Sequence, residues 1–253
     1  MPHFKQRQQL LGASLFTVLA SVSHAAEVRV LSAGAVEPGL HAFAQQQKRD
    51  TGHELKIQFN TAPQIAKRLE AGEAYDILIA PPPVIDRAAA EGKVLADTRV
   101  PVGRVGVGVI VRRGQPAPNI ATVDALKQAV LGTASVVYNT ASTGLYLDRL
   151  FAKMGVLEQL KAKSTRYPDG ASVMEYVIKG KGDEIGFGAT TEIKLYEPKG
   201  LSMVGALPAE VQNYTNYEAV LMSGAAAADA AREVLRHFAT SAGKAAVVSG
   251  GVE

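Results

Sequence analysis

The sequence contains no cysteine among its 253 residues, so disulfides are excluded and stability has to come from a packed core. It also lacks a hydrophobic run long enough to cross a bilayer: the apolar stretch from Leu10 to Val22 covers about 13 residues, where a span needs ~20. No run of five or more like charges occurs, which argues against a nucleic-acid-binding stripe. The five histidines form no pair at metal-ligand spacing. A nucleotide-binding P-loop is missing. Ser241-Ala242-Gly243-Lys244 fits the S-x-x-K pattern of serine acyl-enzymes but has none of that pattern's partner motifs, so it reads as coincidence. No internal repeat appears, and no linker rich in Pro, Gly or Ser separates independent domains.

What is present begins with a leader. Residues 1–25 carry His3, Lys5 and Arg7 without an acid, then the apolar run, then Ser23-His24-Ala25 ahead of Ala26. This is the pattern of a secretory signal peptide. With no cysteine after it for a lipid anchor, the mature chain is expected in the periplasm. Loss of the leader removes two of the 27 Lys and Arg and none of the 24 Asp and Glu, so the formal charge falls from +3 to +1. The basic balance is therefore no sign of a nucleic-acid partner.

From Glu27 onward, short apolar β-type runs alternate with amphipathic helical stretches, which predicts an α/β fold around a mostly parallel sheet. The first strand is read at 27–31 and a helix from Pro38, with Leu40, Phe43 and Ala44 on its buried face. Further strands are expected at 55–60, 77–80, 100–111, 135–139 and 185–188, with others ending at Tyr167 and lying near Met203 and Ala219. Helices are expected at 63–71, 83–91, 123–130, 143–154, 171–178 and 226–240. The last of these has an apolar stripe of Ala231, Val234, Leu235 and Phe238. If the chain folds as two lobes, 103–111 is the best outward crossing.

The loops after the strands carry most of the functional information. Ser32-Ala33-Gly34-Ala35 follows the first strand, Asn60-Thr61-Ala62-Pro63 the second, and Asn139-Thr140-Ala141-Ser142-Thr143-Gly144 the fifth. Asp169-Gly170-Ala171-Ser172 precedes a helix, and Gly188-Ala189-Thr190-Thr191 follows another strand. Each places small or hydroxyl residues at a helix start, where free N–H groups and the helix dipole favour an anion. In open α/β sheets such loops gather at the carboxyl ends of the strands. The candidate ligand residues are Ser32, Ala33, Gly34, Ala35, Asn60, Thr61, Ser142, Thr143, Gly144, Ala171, Ser172 and Thr190. Arg104 joins them because a guanidinium in a Val/Gly strand must find an acid or a ligand. Each hydroxyl could instead cap only its own helix. Arg104 could likewise sit in a salt bridge or at an exposed edge.

Several of these segments resemble the molybdate-binding proteins of bacterial ABC importers, within the type II periplasmic binding fold. Ser172-Val173 through Val177, Gly180 and Asp183 to Phe187 look like the family's S-V-x-x-x-V-x-x-G-x-x-D-x-G-F stretch with one extra residue. Ser142-Thr143-Gly144-Leu145-Tyr146 is similar to its P-A-G-x-Y helix start, and Phe59 to Leu69 with Asp76 to Ile79 to its second ligand loop and third strand. The resemblance implies two lobes, each a mixed, mostly parallel sheet flanked by helices: 26–104 with 213–253, and 105–212. It also implies a small anionic ligand (molybdate, tungstate or a small polycarboxylate), an ABC permease as partner, a monomer, and neither cofactor nor metal. The departures bear on the ligand. The family's Ser-Leu-Thr after the first strand is here Ser32-Ala33-Gly34-Ala35, and its paired serines are Thr61-Ala62-Pro63, where the proline removes a donor. Its ligand-facing tyrosine has no match at Gly188-Ala189-Thr190. A carboxylate suits these loops at least as well as molybdate. A periplasmic aconitate isomerase resembles the same scaffold, and for that activity Tyr167, Asp169, Glu192 and Tyr214 are the side chains able to act as a base.

Overall fold

The structure, a computed structural model, describes residues 25–181 and 183–253. The leader, apart from Ala25, lies outside the described residues. The first half of the chain alternates strand and helix: β1 (Glu27–Ala33), α1 (Glu37–Thr51), β2 (Glu54–Asn60), α2 (Ala62–Glu70), β3 (Ile77–Ala80) and α3 (Pro82–Ala90). A long strand, β4 (Val94–Arg112), leads into α4 (Val123–Gly132), β5 (Ser135–Asn139), α5 (Ser142–Lys153) and α6 (Leu157–Lys161). Then follow β6 (Ser164–Tyr167), α7 (Gly170–Lys179), β7 (Glu184–Ala189), α8 (Thr190–Tyr196) and β8 (Leu201–Ala206). A second long strand, β9 (Tyr214–Met222), returns the chain to α9 (Ala228–Ala239) and α10 (Ser241–Ser249).

The strands form a mixed sheet in the order β2-β1-β3-β9-β4-β7-β5-β6, with β8 also on β4. β1 runs parallel to β2 and β3, and β5 parallel to β6 and β7. The long β4 and β9 are antiparallel to each other and to their outer neighbours, and join the two parallel sets. Burial follows this arrangement. One core cluster holds Val28, Val30, Phe43, Ile77, Leu221 and Phe238, with Phe43 and Phe238 stacked at 3.8 Å between ring centroids. Around the other parallel set, the period of two along a strand sends alternate residues to opposite faces. Val109 and Val136 enter a cluster with Leu126, Leu147 and Phe151, while Ile110 and Val137 pack with Val173, Met174 and Ile193.

The expected elements are found, with two differences. The helix read at 226–240 is α9, and a further helix, α10, follows it where none was expected. Thr240 adopts an extended conformation (φ −74°, ψ 157°) and its hydroxyl accepts the N–H of Gly243, which ends α9 and caps α10. α6 and α8, of five and seven residues, were too short for a period to register. No helix among the described residues is long and apolar enough to cross a membrane.

Candidate functional site

A cleft of about 300 Å³ opens where the carboxyl ends of the two parallel sets meet. Ala33 ends β1, Asn60 ends β2, Pro81 follows β3, Asn139 ends β5, Asp169 follows β6 and Ala189 ends β7, and all six line the cleft. Each strand end is followed by the start of a helix, so α1, α2, α3, α5, α7 and α8 all begin there. A helix start carries roughly half a positive charge, so six amount to about three.

The local sequence explains how these starts are left available. At α2, Thr61 and Gln64 form a reciprocal capping box, with the Thr61 N–H donating to Gln64 Oε1 at 2.8 Å. At α5, Asn139 Oδ1 accepts the N–H groups of Ala141 and Gly144 at 3.1 and 3.0 Å. Arg166 braces that loop by donating to the Asn139 carbonyl at 3.1 Å and to both carboxylate oxygens of Asp148. At α7, the Asp169 carboxylate accepts the Ser172 N–H at 2.8 Å. The first-turn N–H groups of Ser142, Thr143 and Ala171 have no intrahelical acceptor and border the cleft. Asn60 adds a buried Oδ1 with no hydrogen-bond partner among the described residues.

Three carboxylates also line the cleft, Glu37, Asp169 and Glu192, and none of the lining residues is Lys, Arg or His. Glu192 sits between the two sets of loops. A Cβ added at Gly34 would stand 3.1 Å from its Oε1, and one added at Gly170 only 2.3 Å from its Oε2. The absence of side chains at those two positions is what lets the carboxylate in. Burial, with the like charges of Glu37 and Asp169 beside it, raises the Glu192 pKa to about 7. The phenol of Tyr217, on β9, lines the same cleft and is 6% exposed. Burial first and the nearby charge of Glu192 second push its pKa well above the ordinary tyrosine range, so it stays protonated as a donor.

Of the residues expected from sequence, Ala33, Gly34, Ala35, Asn60, Thr61, Ser142, Thr143 and Ala171 come together in the cleft. Ser32 is fully buried behind it, its hydroxyl donating to the Ala33 carbonyl at 3.1 Å. Gly144 supports the loop from beneath, where a Cβ would fall 1.7 Å from the Asn139 carbonyl oxygen. Ser172 spends its N–H on Asp169, and Thr190 opens α8 without lining the cleft. Arg104 is elsewhere. Its guanidinium donates to Glu253 at 3.2 Å and lies 4.2 Å from the Tyr214 ring centroid, while its backbone pairs with that of Glu253. Of the two kinds of partner the sequence leaves open for Arg104, an acid or a ligand, the structure supplies the acid, Glu253. Of the four side chains named as bases, Asp169 and Glu192 line the cleft and Tyr167 and Tyr214 do not. Glu37, Gln64, Pro81 and Tyr217 were not anticipated. Pro81 alone carried a signal, as the residue closing a strand before two further prolines.

Comparison with known proteins agrees with this architecture. The chain is 30% identical over 251 residues to an aconitate isomerase from Pseudomonas sp., covering 96% of this chain and 94% of that one. Among solved structures, the periplasmic molybdate-binding protein of Azotobacter vinelandii superposes with a TM-score of 0.74 at 16% identity, over 89% of this chain and 98% of that one. The sulfate-binding protein SubI of Mycobacterium tuberculosis gives 0.73, also at 16% identity, over 90% and 86%. The family model described as bacterial extracellular solute-binding protein matches residues 28–253, and the chain belongs to that family.

Proposed function

We propose that the cleft takes up a small unsaturated polycarboxylate of the aconitate type in the periplasm and moves a proton along it, with Glu192 carrying the proton. The observation that carries this reading is a cleft carboxylate whose pKa of about 7 lets it accept and return a proton at neutral pH. In aconitate a methylene carbon and a vinyl carbon flank the same central carbon. Glu192 removes a methylene proton, and the C–H electron pair spreads over the adjacent double bond and carboxylates. The same proton, returned to the former vinyl carbon, leaves the double bond one position along in the other geometry. Atoms and electrons balance within the substrate, so no redox partner is required.

The helix starts supply what holds the substrate, because their N–H groups suit carboxylates and the cleft has no side-chain cation. Tyr217 supplies a neutral O–H toward the charge that develops as the proton leaves. The lobes we assign, 26–104 with 213–253 and 105–212, close over the ligand through the long strands β4 and β9. The name of the Pseudomonas relative points to the same chemistry.

Proton NMR of purified protein with trans-aconitate tests the reading. Appearance of the cis form is expected, and no conversion in either direction rejects aconitate as substrate. A second reading, capture of an oxyanion for an ABC permease without turnover, is favoured by the ring of helix starts and by family membership. Calorimetry with molybdate, tungstate, sulfate and aconitate separates the two: tight binding of a tetrahedral oxyanion with no isomerisation selects capture.

A further inference from the structure

Glu192 is the third residue of α8, a helix of only seven residues that is too short to hold its own geometry. Its placement must come from outside the helix. Ala189, which caps α8, packs in the same core cluster as β1 and β3, whereas Ile193 packs in the cluster of α7. α8 is thus seated at the junction of the two halves. One polar contact ties its first turn down. Thr191 is fully buried, and its hydroxyl donates to the carbonyl of Ala35, in the first cleft loop, 156 residues away in sequence.

We infer that Thr191 is a positioning residue whose hydrogen bond to the Ala35 carbonyl fixes Glu192 over the cleft between Gly34 and Gly170. The inference rests on the proposed role of Glu192 as proton carrier. The geometry supports it in two ways. Ala35 and Gly34 belong to one tight turn, so holding Ala35 also sets the wall against which Glu192 Oε1 rests. A threonine this deeply buried would be replaced by an apolar residue at no loss if packing were its only task, since its hydroxyl gains nothing in a core without an acceptor. The titratable groups that face Glu192 are Glu37 on α1, Asp169 ahead of α7 and Tyr217 on β9, with Tyr196 further along α8. Lys194, on the same helix, points instead to Gly251.

The test is Thr191→Val, which keeps the shape and removes the O–H, beside Thr191→Ser, which keeps the O–H. The full-length mature protein serves for both. Misplacing a reacting group by about 1 Å costs on the order of 10²-fold in rate. The expected result for Thr191→Val is therefore a fall in kcat of about 10- to 100-fold with KM changed little, because the helix starts still hold the substrate. Thr191→Ser should restore kcat to within about threefold, since the bond returns. A second readout does not need turnover: with carbon-13 in the glutamate carboxyls, NMR titration of Glu192 should move from about 7 toward the ordinary carboxylate range in Thr191→Val and stay in Thr191→Ser. Unchanged kcat and unchanged titration in Thr191→Val overturn the inference. So does a serine variant as impaired as the valine one. If Thr191→Val does not fold, Thr191→Ala against Thr191→Ser asks the same question. Wild-type protein whose Glu192 titrates near 7 but which turns over neither isomer removes the isomerase reading, and the titration alone then decides the positioning role.

Discussion

Replacing Glu192 by glutamine should sharply slow turnover and, at the same time, stabilise the protein above neutral pH. In the folded state the Glu192 pKa is raised from 4.5 to about 7. The sign follows from proton counts. Between pH 4.5 and 7 the unfolded chain has released this proton and the folded one retains it, so stability falls as pH rises through that window and levels off above it. At about 1.4 kcal/mol for each pKa unit, the full effect is about 3 kcal/mol. Glutamine keeps the shape, cannot ionise, and removes the penalty. Thermal unfolding of the two proteins at pH 5 and pH 8 measures it. Part of the effect is already present at pH 5, so the gap in favour of Glu192→Gln should widen by about 2.5 kcal/mol between the two pH values, or roughly 5 to 10 °C in Tm for a chain of this size. Loss of a general base should lower kcat by about 10²- to 10⁴-fold. A glutamine variant with no added stability at pH 8 would refute the claim that Glu37, Asp169 and burial act on this carboxylate. A fully active one would remove it from the chemistry.

Four further outcomes follow from the same geometry. With wild-type protein, kcat/KM should rise with pH through about 7 as Glu192 loses its proton, and a rate that falls across that interval would assign the base elsewhere. Tyr217→Phe should lower kcat by about 10²- to 10³-fold, the cost of losing one donor to a developing oxyanion, and a change confined to KM would limit Tyr217 to ground-state binding. Arg104→Ala should leave ligand affinity within about twofold, since an exposed ion pair contributes ~0–1 kcal/mol, and a tenfold loss would return Arg104 to the site. Asp76 is 3% exposed and accepts the N–H groups of Arg29 and Ala227 at 2.8 Å each. Its replacement by alanine removes the acceptor of two part-buried N–H groups, at about 1 kcal/mol apiece, which denaturant unfolding would read directly.

The helix starts were legible because each is a local event: a strand end, a small residue and a hydroxyl or proline in a row, as at Asn60-Thr61-Ala62-Pro63 and Asn139 to Gly144. Most cleft residues read from those rows do line the cleft. What sequence could not supply was the pairing of distant segments. A guanidinium in the Val/Gly strand at Arg104 calls for an acid or a ligand, and the acid that answers is 149 positions away at Glu253, where no local pattern could point to it. Tyr217 alternates along β9 like any strand residue, and only the crossing of β9 beside β4 brings its phenol to the cleft. Glu192 was named only as one base among four, since nothing local sets it apart from the other acids.

The same distinction separates the two readings of function. A ring of helix starts binds an anion whether or not chemistry follows, so it is the feature a transport protein and an isomerase on this scaffold would share. A carboxylate in that ring serves the two differently. For simple capture of an anion it is a cost, because its charge opposes the ligand and no side-chain cation in the cleft offsets it. For a proton shift it is the working part, and the like charges of Glu37 and Asp169 that disfavour its ionised form bring its pKa to the pH at which it must act. Asp169 has a structural task as the cap of α7, so on the proposed isomerase reading it is Glu192 whose proton gives the cleft a use for an acid that simple capture would not need.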